Sequence, residues 1–232
     1  LNAGIPGVKD DRAALMHNKF FVIDGDCVWT GSFNYTNNAS TKNNENAVYV
    51  CDSKLAQNYT VEFTEMFNGQ FGSTSPPDTP NPNLVIDGIK VENYFAAEDG
   101  VMNHIIDIVT SAQKSVHFMA FSLTDSNLGN LMINKSQNGL EVEGIFESRM
   151  APGQGSECPK MLQEHLPVKL DGNKYTFHHK VIIVDSNIVI FGSFNFSASA
   201  DTDNDENLLI VHDPWLASQF EKEFAKQYAL GV

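Results

Sequence analysis

Basic residues are scarce in this chain. Fifteen Lys and Arg stand against 29 Asp and Glu in 232 residues, a formal net charge of −14. That disfavours a broad basic surface gripping long nucleic acid, because each phosphate contact needs a cation. It leaves room for a small basic pocket at a catalytic centre. Cysteine is scarce too: Cys27, Cys51 and Cys158 include no C-x-x-C pair and read as buried thiols, or as one bridge and one spare. No run of about 20 apolar residues occurs, so no integral membrane segment is expected. Leu1 opens the chain with neither Met nor a signal-like apolar stretch, so any targeting segment is expected upstream. What remains is a soluble globular chain, 42% hydrophobic, long enough for one large or two small cores.

The chain is organised around a motif that occurs twice. His178, Lys180 and Asp185 are followed by Gly192-Ser193-Phe194-Asn195; His17, Lys19 and Asp24 are followed by Gly31-Ser32-Phe33-Asn34. Glu206-Asn207 answers Glu45-Asn46, and every pair stands 161 residues apart. The register holds without a gap from Leu15 to Phe67, where Tyr59, Glu62, Phe63 and Phe67 match Phe220, Glu223, Phe224 and Tyr228. Such a repeat is one structural unit used twice.

Leu1 to Asp11 reads as loop or edge, Leu15 to Ile23 as strand, Gly25-Asp26 as a turn and Val28 to Thr30 as the returning strand. Asn34 to Asn46 is Asn-rich and fits a loop over a site. Ala47 to Cys51 reads as strand, and Leu55 to Phe67 has helical spacing. Gly72 to Asn83 holds Pro76, Pro77, Pro80 and Pro82 and reads as a linker. Then come a helix over Ala96 to Ala112, a strand over Ser115 to Phe121, a helix over Ser126 to Asn138 and a strand over Glu141 to Phe146. A Gly/Pro loop, a short helix and a strand near Val168 follow. The second motif hairpin, a strand over Leu208 to Val211 and a closing helix from Pro214 to Tyr228 complete the chain. The expected fold is α/β, with two pseudo-twofold-related modules of mixed sheet flanked by helices. Residues 1–71 form the first module, 72–83 the linker and 84–232 the second. The second module carries 94 residues of lead-in from Leu84 to its motif histidine, the first only 16. The first module is therefore expected to be truncated at its N-terminus. Its opening strands would come from a longer protein or from a second chain.

A strand alternates its side chains, so His17 and Lys19 share a face, as do His178 and Lys180. Ser32, Asn34, Ser193 and Asn195 add neutral donors. Two such half-sites around one pocket offer two imidazoles and six donors for anionic oxygens, with no carboxylate metal cage. The fitting ligand is a phosphate or phosphodiester. Two facing histidines suit a two-step displacement: one imidazole attacks phosphorus, and the other protonates the leaving oxygen and then activates water. The lysines neutralise the equatorial oxygens, so no metal or other cofactor is expected.

The doubled His-x-Lys-x4-Asp with Gly-Ser-x-Asn resembles the phospholipase D superfamily. The segments GSFNYTNNASTKNNENAVYV and GSFNFSASADTDNDENLLIV look most like its bacterial Nuc-type endonuclease branch. The resemblance implies a two-layered α/β fold, a phosphohistidine intermediate and metal-independent phosphodiester cleavage. It implies His17 as nucleophile and His178 as acid and base. It implies Glu45 and Glu206 as the acids that orient the imidazoles, each serving its own histidine or the opposite one. Asp24 and Asp185 match the motif aspartate and are expected to be structural.

Other candidates carry blander readings. His179 points away from His178 and reads as structural. His117 and His104 read as packed or surface histidines, and His165 and His212 show no partner pattern. Phe33, Tyr35, Phe194 and Phe196 read as core before they read as rings that grip a lipid or stack a base. Asp201, Asp203, Asp205 and Glu206 alternate like the start of a calcium loop but lack its Gly and its closing Glu, so a solvated loop is expected. Glu147 and Arg149 sit at the pocket rim, as substrate contacts or as a surface ion pair.

Three functions follow. The first is a nuclease-like phosphodiesterase. The second is a phospholipase cleaving a lipid headgroup or transferring the phosphatidyl group, for which no amphipathic membrane helix is evident. The third is an inactive phosphate-binding scaffold, should the first module be incomplete.

Overall fold

Two hairpins carry the two motifs, and each turns in the same way. The structure, a computed structural model, describes residues 3–232. In the first hairpin β1 (Phe20–Ile23) runs into β2 (Cys27–Gly31). Asp24 and Gly25 both take positive φ, 56° and 70°, and Asp26 N donates to Ile23 O. Three residues, Asp24 to Asp26, link the paired Ile23 and Cys27, and the left-handed backbone at the first two favours Asp and Gly, which accounts for an aspartate at this motif position. A short helix α1 (Asn37–Thr41) interrupts the Asn-rich loop, capped by the Thr36 hydroxyl. The strand β3 (Ala47–Cys51) completes a three-stranded antiparallel sheet in the order β1-β2-β3. The helix α2 (Ser53–Phe67) follows, capped by Asp52.

The stretch after α2 forms a 3-10 turn at Gly72–Thr74 and is bonded to the body of the protein. Asn81 N donates to Asn58 of α2, and Gly72 N donates to the buried Asp205 carboxylate. A hairpin absent from the sequence expectation comes next: β4 (Asn83–Ile86) and β5 (Ile89–Ala96). Its signal is Asp87-Gly88 between apolar residues, both with positive φ. Ala96, expected to open a helix, instead ends β5. The helix α3 (Val101–Ser111) begins five residues later, after Gly100 in left-handed conformation.

The order continues through β6 (Ser115–Ala120), α4 (Ser126–Gln137), β7 (Glu141–Phe146), α5 (Cys158–Gln163) and β8 (Val168–Leu170). The second motif hairpin is β9 (Lys180–Val184) and β10 (Ile188–Gly192), turned at Asp185 and Ser186 with φ of 54° and 51°. Then come α6 (Ala198–Thr202), β11 (Glu206–His212) and α7 (Pro214–Leu230). Eight strands form one mixed sheet, β4-β5-β11-β10-β9-β6-β7-β8, parallel only at β6-β7 and β7-β8. The α/β fold with a mixed sheet flanked by helices is thus as expected.

Alternation splits the large sheet into two apolar faces. Ile182, Val184, Ile190 and Ile210 pack under α3 and α4. Val181, Ile183, Val189 and Phe191 pack with α7 on the other side, in one cluster with Val28, Leu55 and Tyr59 of the first repeat. That shared core sets the two motif hairpins against each other. Cys27 and Cys51 form a disulfide between β2 and β3, and Cys158 is a buried free thiol.

Candidate active site

Each motif histidine lies just before its hairpin and is tied by backbone to the other repeat. His17 N donates to Asp205 O at 3.0 Å, and His178 N donates to Asn44 O at 2.9 Å. The two contacts are equivalent under the 161-residue offset. They bring the segment before each glutamate alongside the opposite histidine.

The side chains cross in the same sense. His178 Nδ1 lies 2.8 Å from Glu45 Oε2, and His17 Nδ1 lies 2.8 Å from both oxygens of Glu206. Each glutamate therefore serves the opposite histidine, the alternative left open by the sequence. A carboxylate on Nδ1 fixes the proton there and turns Nε2 outward as the reactive nitrogen. His178 Nδ1 also faces Ser32 O at 3.1 Å, a second acceptor with the same effect.

Ser32 and Ser193, which the sequence led us to expect as donors to a ligand, are turned away from it. Both are fully buried. Ser32 Oγ donates to Glu45 Oε2 at 2.7 Å and accepts from Asn46 N; Ser193 Oγ donates to Glu206 Oε2 at 2.6 Å and accepts from Asn207 N. The motif serine is thus spent on the glutamate, because the tight Gly-Ser turn points its hydroxyl back into the strand end. Gly31 and Gly192 stand there because a Cβ would meet the backbone of Asn46 or Asn207 at 2.3 or 2.2 Å.

The two lysines are buried, Lys19 at 3% exposure and Lys180 at 0%. Lys180 Nζ donates to His178 O at 3.0 Å and sits 4.7 Å over the Phe121 ring; Lys19 Nζ donates to His17 O at 2.6 Å. Burial lowers both amines, Lys19 to about 8 and Lys180 to about 7, the latter also by repulsion from Lys19. Glu45 and Glu206 act on both lysines in the opposite sense, so the four groups form one electrostatic cluster. His178 is lowered to about 4, first by burial and, despite Glu45, by the charge of both lysines.

Asn34 lines a cleft of about 480 Å³ beside His178, with Asn43, Phe121, Met150 and Thr176. Asn195 is half-buried, and its Oδ1 has no hydrogen-bond partner. Arg149 lies on the wall of the same cleft. It donates to the fully buried Glu147 at 2.6 Å, and to Tyr175 O and the Thr176 hydroxyl. It is therefore an ion pair held at the pocket rim. Asp185 accepts from the backbone N of Gln113, Lys114 and Ser115. Burial would raise its carboxyl, but these donors outweigh it and hold it low. Its mate Asp24 is exposed.

A second crossed network lies behind the first. Asn207 donates to Asn18 Oδ1 and Asn18 donates to Glu62, each at 2.8 Å; the mates are Asn46 to His179 Nδ1 at 3.0 Å and His179 beside Glu223 at 3.9 Å. His179 is thus buried and packed, in line with its structural reading. Asn18 and Asn207 carry no chemistry of their own, and only their place beside the motif residues signals them. His212, which showed no partner pattern, pairs with Glu92 at 2.7 Å. The acidic stretch before Glu206 is not a solvated loop: Asp205 is 1% exposed and holds Arg12 and Gly72 N, while Asp201 accepts from Met102 N at the start of α3. These carboxylates bond the first module and α3 to the site. Phe194 and Phe196 are core, but Tyr35 is exposed and Phe33 half-buried.

A protein-family model described as "Cardiolipin synthase, PLD-like domain" matches residues 1–67 and 105–228. The chain is 29% identical over 125 residues to the mitochondrial cardiolipin hydrolase of Chlamydomonas reinhardtii, spanning 54% of this chain and only 56% of that protein. It is 27% identical over 173 residues to the phospholipase D of Rickettsia bellii, covering 74% of this chain and 86% of that one. Among solved structures, the phospholipase D family member Nuc from Salmonella typhimurium matches with a TM-score of 0.57 and 26% identity, over 61% of this chain and 95% of that one.

Proposed function

The chain belongs to the phospholipase D superfamily of phosphodiesterases, and on that premise we propose that it hydrolyses phosphodiesters through a phosphohistidine, with no metal in the step. The observation that carries this reading is the pair of crossed histidine–glutamate contacts around two buried lysines. His17, its Nδ1 proton held by Glu206, attacks phosphorus through Nε2. His178 gives a proton to the leaving oxygen as the P–O bond breaks. It then takes a proton from water, which attacks phosphorus and frees His17. Lys19, Lys180, Asn34 and Asn195 hold the non-bridging oxygens and balance charge at the transition state. Glu45 keeps His178 in the tautomer that works through Nε2. For His178 to hold a proton near neutral pH, its pKa must rise from about 4. The anionic substrate supplies that rise, by the same coulombic effect that the lysines exert in the opposite direction.

The favoured substrate is nucleic acid, in keeping with the Nuc-like wording of both motif segments and the likeness to Salmonella Nuc over nearly its whole length. A lipid phosphodiester is the second reading. It is favoured by the −14 net charge and by relatives named phospholipase D and cardiolipin hydrolase. The test is to incubate the chain with single-stranded DNA, with phosphatidylcholine vesicles and with bis-p-nitrophenyl phosphate, all in EDTA. Cleavage of DNA and of the small diester supports the first reading; choline release supports the second. No turnover of any of the three, with phosphate still bound, would leave the inactive scaffold.

A further inference from the structure

Lys180 is fully buried, yet its amine has few partners. An ammonium carries three N–H donors. One goes to the carbonyl of His178 at 3.0 Å, and among the described residues no other group accepts from Nζ. The charged and titratable groups around the amine are Lys19, Glu45, Glu206 and His178. Lys19 repels it. Glu45 and Glu206 attract it, but their oxygens hold the two imidazoles.

A ring stands against the amine instead. Phe121 follows directly after β6, whose last residue Ala120 pairs with Lys180, and Phe121 N donates to His179 O at 2.8 Å. Strand register thus sets the ring beside the motif. Lys180 Nζ lies over its face, 4.7 Å from the centroid. The same ring meets the His178 imidazole edge to face, with centroids 4.9 Å apart and planes at 66°. Phe121 also lines the cleft that Asn34 and His178 line. One half-buried side chain therefore touches both a charge-balancing lysine and the proton donor.

An aliphatic side chain here would exclude water equally well and do nothing for the charge. An aromatic face is negative and attracts an ammonium most strongly where water is excluded. It favours only the protonated amine, and so opposes burial and Lys19, which together pull Lys180 down to about 7. The edge-to-face contact adds a second restraint on His178, whose Nδ1 is already held by Glu45.

We propose that Phe121 is a positioning residue of this site: its face keeps Lys180 an ammonium, with one N–H left for a non-bridging oxygen, and its contact with His178 keeps that imidazole turned for proton transfer. This inference rests on the roles of Lys180 and His178 in the proposed reaction.

The test reads Lys180 directly, without turnover. The full chain carrying isotope-labelled lysine Cε is titrated by nuclear magnetic resonance, and the Lys180 signal is assigned by its loss in Lys180→Met. In Phe121→Leu the Lys180 midpoint should fall by about one pH unit, and in Phe121→Tyr it should stay near that of the parent. The alkaline limb of kcat/KM on bis-p-nitrophenyl phosphate should move down with it in Phe121→Leu and return in Phe121→Tyr. A chain with trifluorophenylalanine at position 121 keeps the ring's shape and loses the negative face, so its midpoint should fall as well. It carries the test if Phe121→Leu does not fold. An unchanged midpoint in the leucine or the fluorinated chain would overturn the proposal, as would an equal fall in Phe121→Tyr. A shifted midpoint in a chain that turns over no substrate would count against the proposed reaction and in favour of the ring's hold on Lys180.

Discussion

Glu206, on the strand that closes the second repeat, holds the imidazole of His17 from the first, with Nδ1 2.8 Å from each carboxylate oxygen. Glu45 does the same for His178 in the reverse direction. Neither motif is complete without the other. Glu45→Gln and Glu206→Gln should each lower kcat by about 10²- to 10⁴-fold with little change in KM, since the glutamates orient the reacting imidazoles without touching substrate. Ser32→Ala and Ser193→Ala should fall in the same direction by less. Steady-state rates on bis-p-nitrophenyl phosphate check this, and a wild-type kcat in both Gln variants would contradict it.

Anion binding should be coupled to proton uptake. Burial holds Lys180 at about 7 and Lys19 at about 8. Both amines carry charge at pH 6 and are largely neutral at pH 9. A bound oxyanion favours their charged forms, so affinity should fall as pH rises between those values. Calorimetric titration with tungstate at pH 8, in two buffers of different ionisation enthalpy, should show net proton uptake. A binding enthalpy independent of buffer would contradict it.

Lys180 is kept at a cost in stability. Its folded pKa lies below its ordinary value of 10.5, so the unfolded chain holds more protons between about pH 7 and 10.5. Stability contributed by this group therefore rises with pH across that window. Lys180→Met should remove that part of the pH dependence, raise stability by about 1–4 kcal/mol near neutral pH and abolish activity. Urea denaturation at pH 7 and 9.5 measures both effects; a variant less stable than the parent at pH 7 would contradict the argument.

The disulfide joins Cys27 and Cys51, directly opposite each other on β2 and β3. Closing a loop of this length contributes about 3 kcal/mol, and it falls in the small sheet with one face open. Reduction should lower the unfolding midpoint. Cys158 is buried, and burial pushes its thiol up to about 11. A thiol-specific dye should find one reactive group in the unfolded, unreduced chain, and none reacting rapidly in the folded one. Three groups without reductant would contradict the bridge.

Much of the architecture was legible because the repeat is exact in register. The boundaries Ala47–Cys51 and Glu141–Phe146 follow from apolar runs between turn residues. The β4-β5 hairpin escaped because Ala96 and Ala97 read as helix formers, while Asp87-Gly88 was the stronger signal. The motif residues could be named from spacing, yet their pairing could not. Whether Glu45 turns to His17 or to His178 depends on how two hairpins 161 residues apart pack, a tertiary matter. The serine hydroxyls misled for the same reason: donor chemistry is visible in sequence, but the Gly31 and Gly192 turns decide where it points. Asp205 looked solvated because acidic alternation usually is, and its partners Arg12 and Gly72 lie far away in the chain.

The account stands on both imidazoles acting on one phosphorus atom. The most direct measurement is turnover of bis-p-nitrophenyl phosphate in EDTA by His17→Ala and His178→Ala, each confirmed as folded. Each should lose at least about 10³-fold in kcat, with rapid quench of the wild type yielding a phosphohistidine that maps to His17. Wild-type turnover in either single variant would contradict the two-histidine mechanism.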